Sequence, residues 1–427
     1  MTDAARHIDS YYARTAAPGS DHPALAGRQE AEICIVGGGL AGLSAALSLA
    51  ERGRKVALLE ARRVGWGASG RNGGFVSPGF SRGLESLINA IGLDRTRELF
   101  DLTRDAMRLV RARIDRYGMA GASPVDSGML MGWWRDEPEE AKKYQAFMAE
   151  KFGVEYEYWP RERVRAVCIT QRYYDGLFRD EGFHFHPLNY ARGVSAALVA
   201  GGSRVFEASP VTDLALDGPV KRVRTAAGEI AADTVIVACG GYIGNLVPRL
   251  RRAIKPIATY AMATEPLGER LKTAIRGNHA IHDSRFDFDY YRPLPDTRIL
   301  WGHGISVFGE NLQGTAETLR RHMVAVYPQL ADVKIETAWG GYMSYPTHKM
   351  PQLGQLQPGV WYAQGYGGHG MGTTALTGEL LAAAIAEGDR RYELLAPFGL
   401  NWTGGPVGTA YAQLVYWRYQ FLDWLRG

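Results

Sequence analysis

Between Ala31 and Arg71 the chain reads AEICIVGGGLAGLSAALSLAERGRKVALLEARRVGWGASGR, and this run restricts the fold more than any other stretch. Glu32–Val36 alternates and is β-branched, the pattern of a buried parallel strand. Gly37, Gly39 and Gly42 follow as G-x-G-x-x-G. The first glycine permits a tight turn, the second lets backbone approach a pyrophosphate, and the third lets helix and strand pack closely. Leu40–Glu51 carries Ala and Leu at helical spacing, so the positive end of its dipole and its free N–H groups face that turn. Lys55–Leu59 returns as a strand and Glu60 closes it, where a carboxylate can accept from an adenosine ribose. The fingerprint in this βαβ setting predicts dinucleotide binding, with the acid favouring FAD or NAD over NADP.

At 427 residues the chain exceeds one ordinary core, which implies two interleaved lobes. A net charge of +4, with no basic run, excludes a nucleic-acid surface. No apolar run approaches the ~20 residues a membrane span needs, and no signal pattern opens the chain. The three cysteines, Cys34, Cys168 and Cys239, lack metal spacing and suit a reducing compartment, so a cytoplasmic protein is expected.

Further glycine clusters follow. RRVGWGASGRNGG, Arg62–Gly74, implies backbone passing close to a flat ligand. Ile88–Tyr117 has one long helical periodicity, and Pro138–Gly153 reads as a helix with a glycine stop. His184 and His186 share a strand face without an Asp, Glu or Cys at sensible spacing, so no metal site is expected. The apolar strand Thr234–Cys239 stops at Gly240–Gly241. The segments 255–267, 286–292 and 297–303 read as sheet dense in aromatics. Val360–Gln364, the turn GYGGHGMG (Gly365–Gly372) and the helix Thr373–Glu387 repeat the opening logic of strand, glycine turn and helix N-terminus. Tyr411–Trp424 reads as a packing helix against the body or a second subunit, which leaves homo-oligomerisation open.

The four glycine clusters in this order resemble the D-amino-acid oxidase and sarcosine oxidase superfamily of FAD enzymes, nearest its γ-glutamylputrescine oxidase-like branch. The carrying residues are the first fingerprint with Glu60, GWGASGRNGG (Gly65–Gly74), VACGGY (Val237–Tyr242), GYGGHGMG, and the SYYA start at Ser10–Ala13. The resemblance implies that Gly37, Gly39, Leu40, Ala41, Gly42, Glu60 and Ala61 hold the ADP half of FAD. Gly67, Ala68, Ser69, Arg71, Asn72, Gly73 and Gly74 would run along the pyrophosphate and isoalloxazine. Val211 would meet adenine, and Gly240 marks a further strand end at the cofactor. Gly367, Gly368, Gly370, Met371, Gly372 and Thr373 would lie at the pyrimidine edge, where the helix dipole stabilises charge gathering on reduction. Two features depart from the pattern. Gly340–Leu356 contains no cysteine to attach the flavin, so the FAD is expected to be non-covalent. Arg298–Gly302 contains no lysine to activate oxygen, and Lys349 stands in the same C-terminal region.

The expected protein is therefore an α/β (α+β) enzyme with a Rossmann-like FAD lobe (31–82, 188–250 and 336–390). A substrate lobe on a mainly antiparallel sheet (83–187 and 251–335) interleaves with it, flanked by an arm (1–30) and a helical tail (391–427). It would oxidise a C–N bond of an amine by hydride transfer to flavin N5. The imine would hydrolyse to an aldehyde, and O2 would reoxidise the flavin to give H2O2. His369, Tyr366 and His303 are the catalytic candidates; Tyr260, Tyr291 and Trp301 are the aromatic pocket and Arg292 a partner for a substrate carboxylate. No second carboxylate-binding arginine is evident, which favours an ω-amine over simple α-amino acids. The alternatives are a dehydrogenase passing electrons to a quinone or carrier protein and a non-catalytic flavin-binding subunit.

Overall fold

The computed structural model describes residues 6–19 and 21–425; residues 1–5 and 20 of the expected arm and 426–427 of the tail lie outside them. Two eight-stranded sheets organise the chain. The first has at its centre the parallel strands Val360–Gln364, Gly228–Val237, Gly27–Val36, Val56–Leu59 and Arg204–Phe206. Gln352–Gln357 lies outside Val360–Gln364 as an antiparallel strand, and Lys221–Thr225 and Val211–Ala215 branch from Gly228–Val237 in the same sense. The central strands end in apolar runs, such as Ile33–Val36 and Val235–Val237, where both faces are covered. The helices Leu40–Glu51 and Gly370–Glu387 cross against each other so closely that a Cβ at Gly378 would lie 2.6 Å from Ala45 N.

The second sheet runs in the order Ile335–Tyr345, Lys255–Thr264, Ile299–Ser306, Tyr290–Pro293, Ala280–Asp283, Met129–Gly132, Gly176–Arg179 and Glu157–Trp159. All its pairings are antiparallel except Met129–Gly132 with Ala280–Asp283. Ile335–Tyr345 pairs along Lys255–Thr264, so this segment joins the second sheet and not the first, with which the sequence had grouped it. Strand alternation sorts the side chains of this sheet. One face packs Leu130, Tyr291 and Trp301 under the helix Thr315–Val326. The opposite face carries Met129, Met131, Leu177, Arg179, His282 and Tyr290 toward the first lobe.

The periodicity over 88–117 hides a break. Gly92, at φ 85°, ends the helix Leu84–Ile91 and starts Leu93–Arg116. The tail helix spans Gly405–Leu425 and is pinned by Tyr419, stacked on Phe286 at 4.1 Å, and by Asp423, 3.2 Å from Arg135.

Candidate active site

A cavity of about 860 Å³ runs between the two sheets, within the usual size for a cofactor site. Its wall begins at the first glycine turn. A Cβ at Gly37 would come 2.7 Å from Ala238 O, and one at Gly42 2.0 Å from Gly37 O, so both positions demand glycine. Gly37, Gly39, Leu40 and Ala41 face the cavity; Gly42 lies behind them as the packing glycine. Leu40 N already donates to Ser69 Oγ at 2.9 Å, so this one N–H of the helix start is engaged by the second glycine cluster. Glu60 accepts from Gly38 N at 2.7 Å and Arg62 N at 2.9 Å. Burial raises its carboxyl above the ordinary carboxylate value, and those two N–H donors oppose the rise. Two of its roughly four lone-pair sites remain for a hydroxyl donor. Ala61 and Val211 line the same end.

The second cluster folds as a short 3-10 turn, Ala68–Gly70, with Gly67, Ala68, Ser69, Arg71, Asn72, Gly73 and Gly74 all on the wall. Asn72 Nδ2 donates to Ala68 O and Ser69 O, and its Oδ1 accepts from Gly74 N. Arg71 is 7% exposed, donates to Trp66 O and Gly340 O, and keeps a buried Nη2 without a hydrogen-bond partner. An orphaned guanidinium nitrogen on a glycine-rich wall fits an anionic ligand such as a pyrophosphate.

Arg292 does not reach the cavity. It is 2% exposed and donates to Gly73 O at 2.8 Å, Phe185 O at 2.9 Å and Tyr12 OH at 3.1 Å, with His184 Nδ1 3.1 Å away. It is the clamp behind Gly73–Gly74. His184 and His186 are absorbed locally as well. His184 Nε2 meets Asn278 O at 2.6 Å, and His186 Nδ1 caps the helix Pro187–Ala200 at Asn189 N.

Gly240 and the fourth cluster, Gly367, Gly368, Gly370, Met371 and Gly372, complete the glycine-lined side of the cavity. The helix after this turn starts at Gly370 rather than Thr373, with His369 at its N-cap and no acidic residue in its first turn. Thr373 is buried behind the wall, its hydroxyl donating to His369 O. His369 faces the cavity while protein encloses the site, and that burial, then the Arg179 charge, pushes its imidazole down to about 4. It is neutral at physiological pH. Tyr366 lines the cavity with its ring, and its hydroxyl pairs with Thr377 Oγ1 at 2.8 Å.

Of the aromatic candidates, Tyr260 and His303 reach the cavity and Tyr291 and Trp301 do not. The last two are fully buried, stacked at 4.1 Å, with Tyr291 OH on Tyr173 and Tyr327 and Trp301 Nε1 on Asp289. Alternation explains the swap: Tyr290, the neighbour, takes the cavity face. His303 lies 3.1 Å from Asp289 Oδ1 and stacks on His322 at 3.5 Å, while His322 Nδ1 is 3.4 Å from the same oxygen. Burial lowers His303, but Asp289 outweighs it and raises the ring above its ordinary 6.5. These three residues group ligand-type atoms within 4.8 Å. Two imidazoles on one ion at ligand distances of ~2.0–2.1 Å would hold their centroids roughly 5 Å apart. Rings at 3.5 Å form an ion-paired stack instead.

The structure adds Tyr290, Arg179 and Cys239 to the wall, and Lys349 of the C-terminal region lines it too. Arg179 left no signal beyond a basic residue in an apolar strand. The Cys239 thiol donates to Val36 O at 3.4 Å, and burial pushes it up to about 12, which keeps it protonated.

A family model described as "DAO: FAD dependent oxidoreductase" matches residues 32–384. The chain is 34% identical over 393 residues to the γ-glutamylputrescine oxidoreductase of Escherichia coli strain K12, covering 91% of this chain and 92% of that one. It is 32% identical over 400 residues to the probable oxidoreductase OrdL of Haemophilus influenzae, covering 91% and 90%. The solved glycine oxidase of Geobacillus kaustophilus superposes with a TM-score of 0.72 at 20% identity, over 87% of this chain and 98% of that structure.

Proposed function

This chain belongs to the DAO family of FAD-dependent oxidoreductases, and from that premise we propose that it oxidises the C–N bond of an amine of the γ-glutamylputrescine type with a non-covalently held FAD. One observation carries the reading: a single cavity joins the glycine turns and Glu60 at one end to Tyr260, Tyr290 and His369 at the other. When bound, FAD would supply the acceptor for one hydride, that is two electrons and a proton, from the carbon bearing the amine.

The chain's own residues do the rest. Glu60, with lone pairs left beyond Gly38 N, would accept from a ribose hydroxyl, and the unpartnered Arg71 Nη2 would meet a phosphate oxygen. The N-terminus of Gly370–Glu387, which opens on the cavity without an acidic residue in its first turn, would favour negative charge on a flavin held there. Tyr260, Tyr290 and the methionines Met129 and Met131 position the carbon chain and exclude water. The amine must be neutral to release a hydride. His369, uncharged at neutral pH, accepts a hydrogen bond from its N–H without competing as a cation. Three free cysteines, with the one on the cavity wall protonated, favour non-covalent flavin and a reducing, cytoplasmic setting. Lys349, exposed to the cavity and beside the Phe286 ring, is the residue we assign to the electron-acceptor side, with O2 the first acceptor to test and a quinone or carrier the second.

The test supplies the FAD-loaded enzyme with γ-glutamylputrescine, putrescine, sarcosine or D-alanine, under air or with an added quinone, and quantifies carbonyl product and H2O2. Fastest turnover of γ-glutamylputrescine supports the proposal. Fastest turnover of sarcosine or D-alanine overturns the substrate assignment while leaving the flavin chemistry standing.

A further inference from the structure

The two faces of the tail helix Gly405–Leu425 stand in different surroundings. Its inner face is fixed to the body by polar contacts. Lys255 Nζ donates to Gly405 O at 2.9 Å and to Thr409 Oγ1 at 2.6 Å. Tyr416 OH and Gln420 Nε2 donate to Asp287 at 2.7 and 2.8 Å, and Gln413 and Tyr416 are buried. The outer face is apolar and open to solvent: Val407, Tyr411, Leu414, Trp417 and Phe421 are each more than half exposed. Eight of the fifteen exposed large apolar side chains among the described residues lie between Trp402 and Leu425. Single exposed apolar residues are ordinary, but a stripe of them along one helix marks a contact surface.

The spacing of the stripe suits a surface that meets itself. Val407 and Phe421 lie seven residues to either side of Leu414, and Tyr411 and Trp417 lie three to either side. In an antiparallel helix pair with its two-fold axis at Leu414, the two Leu414 side chains touch. Tyr411 of one copy then faces Trp417 of the other, Val407 faces Phe421, and Leu425 reaches Trp402. Arg418 is the only exposed charged residue of this helix among the described residues. It falls beside Tyr411 of the other copy, at the rim, where a guanidinium can lie over a ring. With 55% to 80% of each of these seven apolar residues exposed, pairing removes about 500–800 Å² per copy from water. The total of about 1,000–1,600 Å² reaches the ~1,000 Å² that a specific interface must clear. A membrane surface fits less well. An interfacial helix sets Lys and Arg along a polar face toward the headgroups, whereas the polar face here is engaged by Asp287 and Lys255.

We infer that the outer face of Gly405–Leu425 is a dimer interface, covered by the same helix of a second copy running antiparallel with the two-fold axis at Leu414. The interface bears on the cavity through the helix's inner face. Tyr416 lines the cavity together with Asp287 and Phe286, and Tyr419 stacks on Phe286 at 4.1 Å. Phe286 and its neighbour Phe288 are partly exposed, so the helix crosses the solvent-facing end of the cavity. Each copy therefore holds in place, from outside, an element that walls the other copy's cavity.

The experiment uses the full-length FAD-loaded protein and reads its mass by sedimentation velocity from nanomolar to high micromolar concentration. The wild type should sediment as a dimer. Leu414→Arg sets two like charges against each other at the axis, so the dimer Kd should rise about 100-fold or more with flavin content and far-UV circular dichroism unchanged. Leu414→Met should remain dimeric. Register is tested separately with a short bis-maleimide. Leu414→Cys should link to a covalent dimer, because the two thiols meet at the axis. Val407→Cys should not link, because its two copies stand fourteen residues apart along the pair, about 21 Å. A wild type that stays monomeric throughout overturns the proposal, and so does a Leu414→Arg protein as dimeric as the wild type. Linking of Val407→Cys, or none of Leu414→Cys, overturns the antiparallel register. A monomer that co-sediments with phosphatidylcholine–phosphatidylglycerol vesicles, and loses this with Leu414→Arg, would assign the face to a membrane surface instead.

Discussion

Replacing Arg292 with methionine removes a buried cation that serves backbone rather than substrate. The guanidinium donates to Gly73 O, Phe185 O and Tyr12 OH at 2.8–3.1 Å. Methionine fills much of the same volume and satisfies none of these acceptors. Tyr12 OH can turn to another partner, but the two carbonyls are left unpaired in the interior, at about 1–3 kcal/mol each. The expected loss is therefore about 2–6 kcal/mol, a large part of the stability of an ordinary domain. It falls on Gly73 and Gly74, so FAD affinity should weaken along with thermal stability. The assay measures chemical denaturation of the apoprotein and FAD titration by flavin fluorescence, then the Kd of the amine in whatever fraction reconstitutes. A stable Arg292→Met protein with normal FAD affinity and a selectively raised amine Kd would refute the clamp and return Arg292 to the substrate.

Glu60→Ala removes the acceptor for Gly38 N, Arg62 N and the ribose, and one lost charged hydrogen bond of about 1.5–3 kcal/mol corresponds to roughly 10- to 150-fold weaker FAD binding. A folded variant with unchanged FAD affinity removes Glu60 from the site. Acid precipitation should leave a colourless pellet and a yellow supernatant, since the cavity thiol of Cys239 stays protonated up to about 12; a yellow pellet would reveal a covalent bond through another residue. The raised His303 proton contributes stability that is fully present below its ordinary 6.5 and is lost as pH rises through the raised folded value. The thermal midpoint of wild type should therefore fall between pH 6 and 9 more steeply than that of His303→Gln, and parallel curves would contradict the Asp289 pairing.

The glycine-lined side of the cavity was legible in the sequence because backbone geometry demands glycine there. Gly37 and Gly42 have no room for a Cβ, so the motif records the packing directly. Glu60 was legible from its place at a strand end. The substrate side was not, because it depends on strand parity in a sheet whose partners are far apart in sequence. Tyr290 and Tyr291 are adjacent and chemically alike, and register alone sends one to the cavity and the other to the core. Arg292 looked like an anion binder because its four partners come from three distant segments. The break at Gly92 was hidden because two helices in succession preserve one apolar period.

The most direct measurement of the central claim is anaerobic stopped-flow mixing of the FAD-loaded protein with γ-glutamylputrescine across pH 6 to 10. The account predicts full loss of flavin absorbance in one phase, with a rate that rises through a single ionisation as the substrate ammonium gives up its proton. Stoichiometric FAD that keeps its oxidised spectrum with this and every other amine would contradict it.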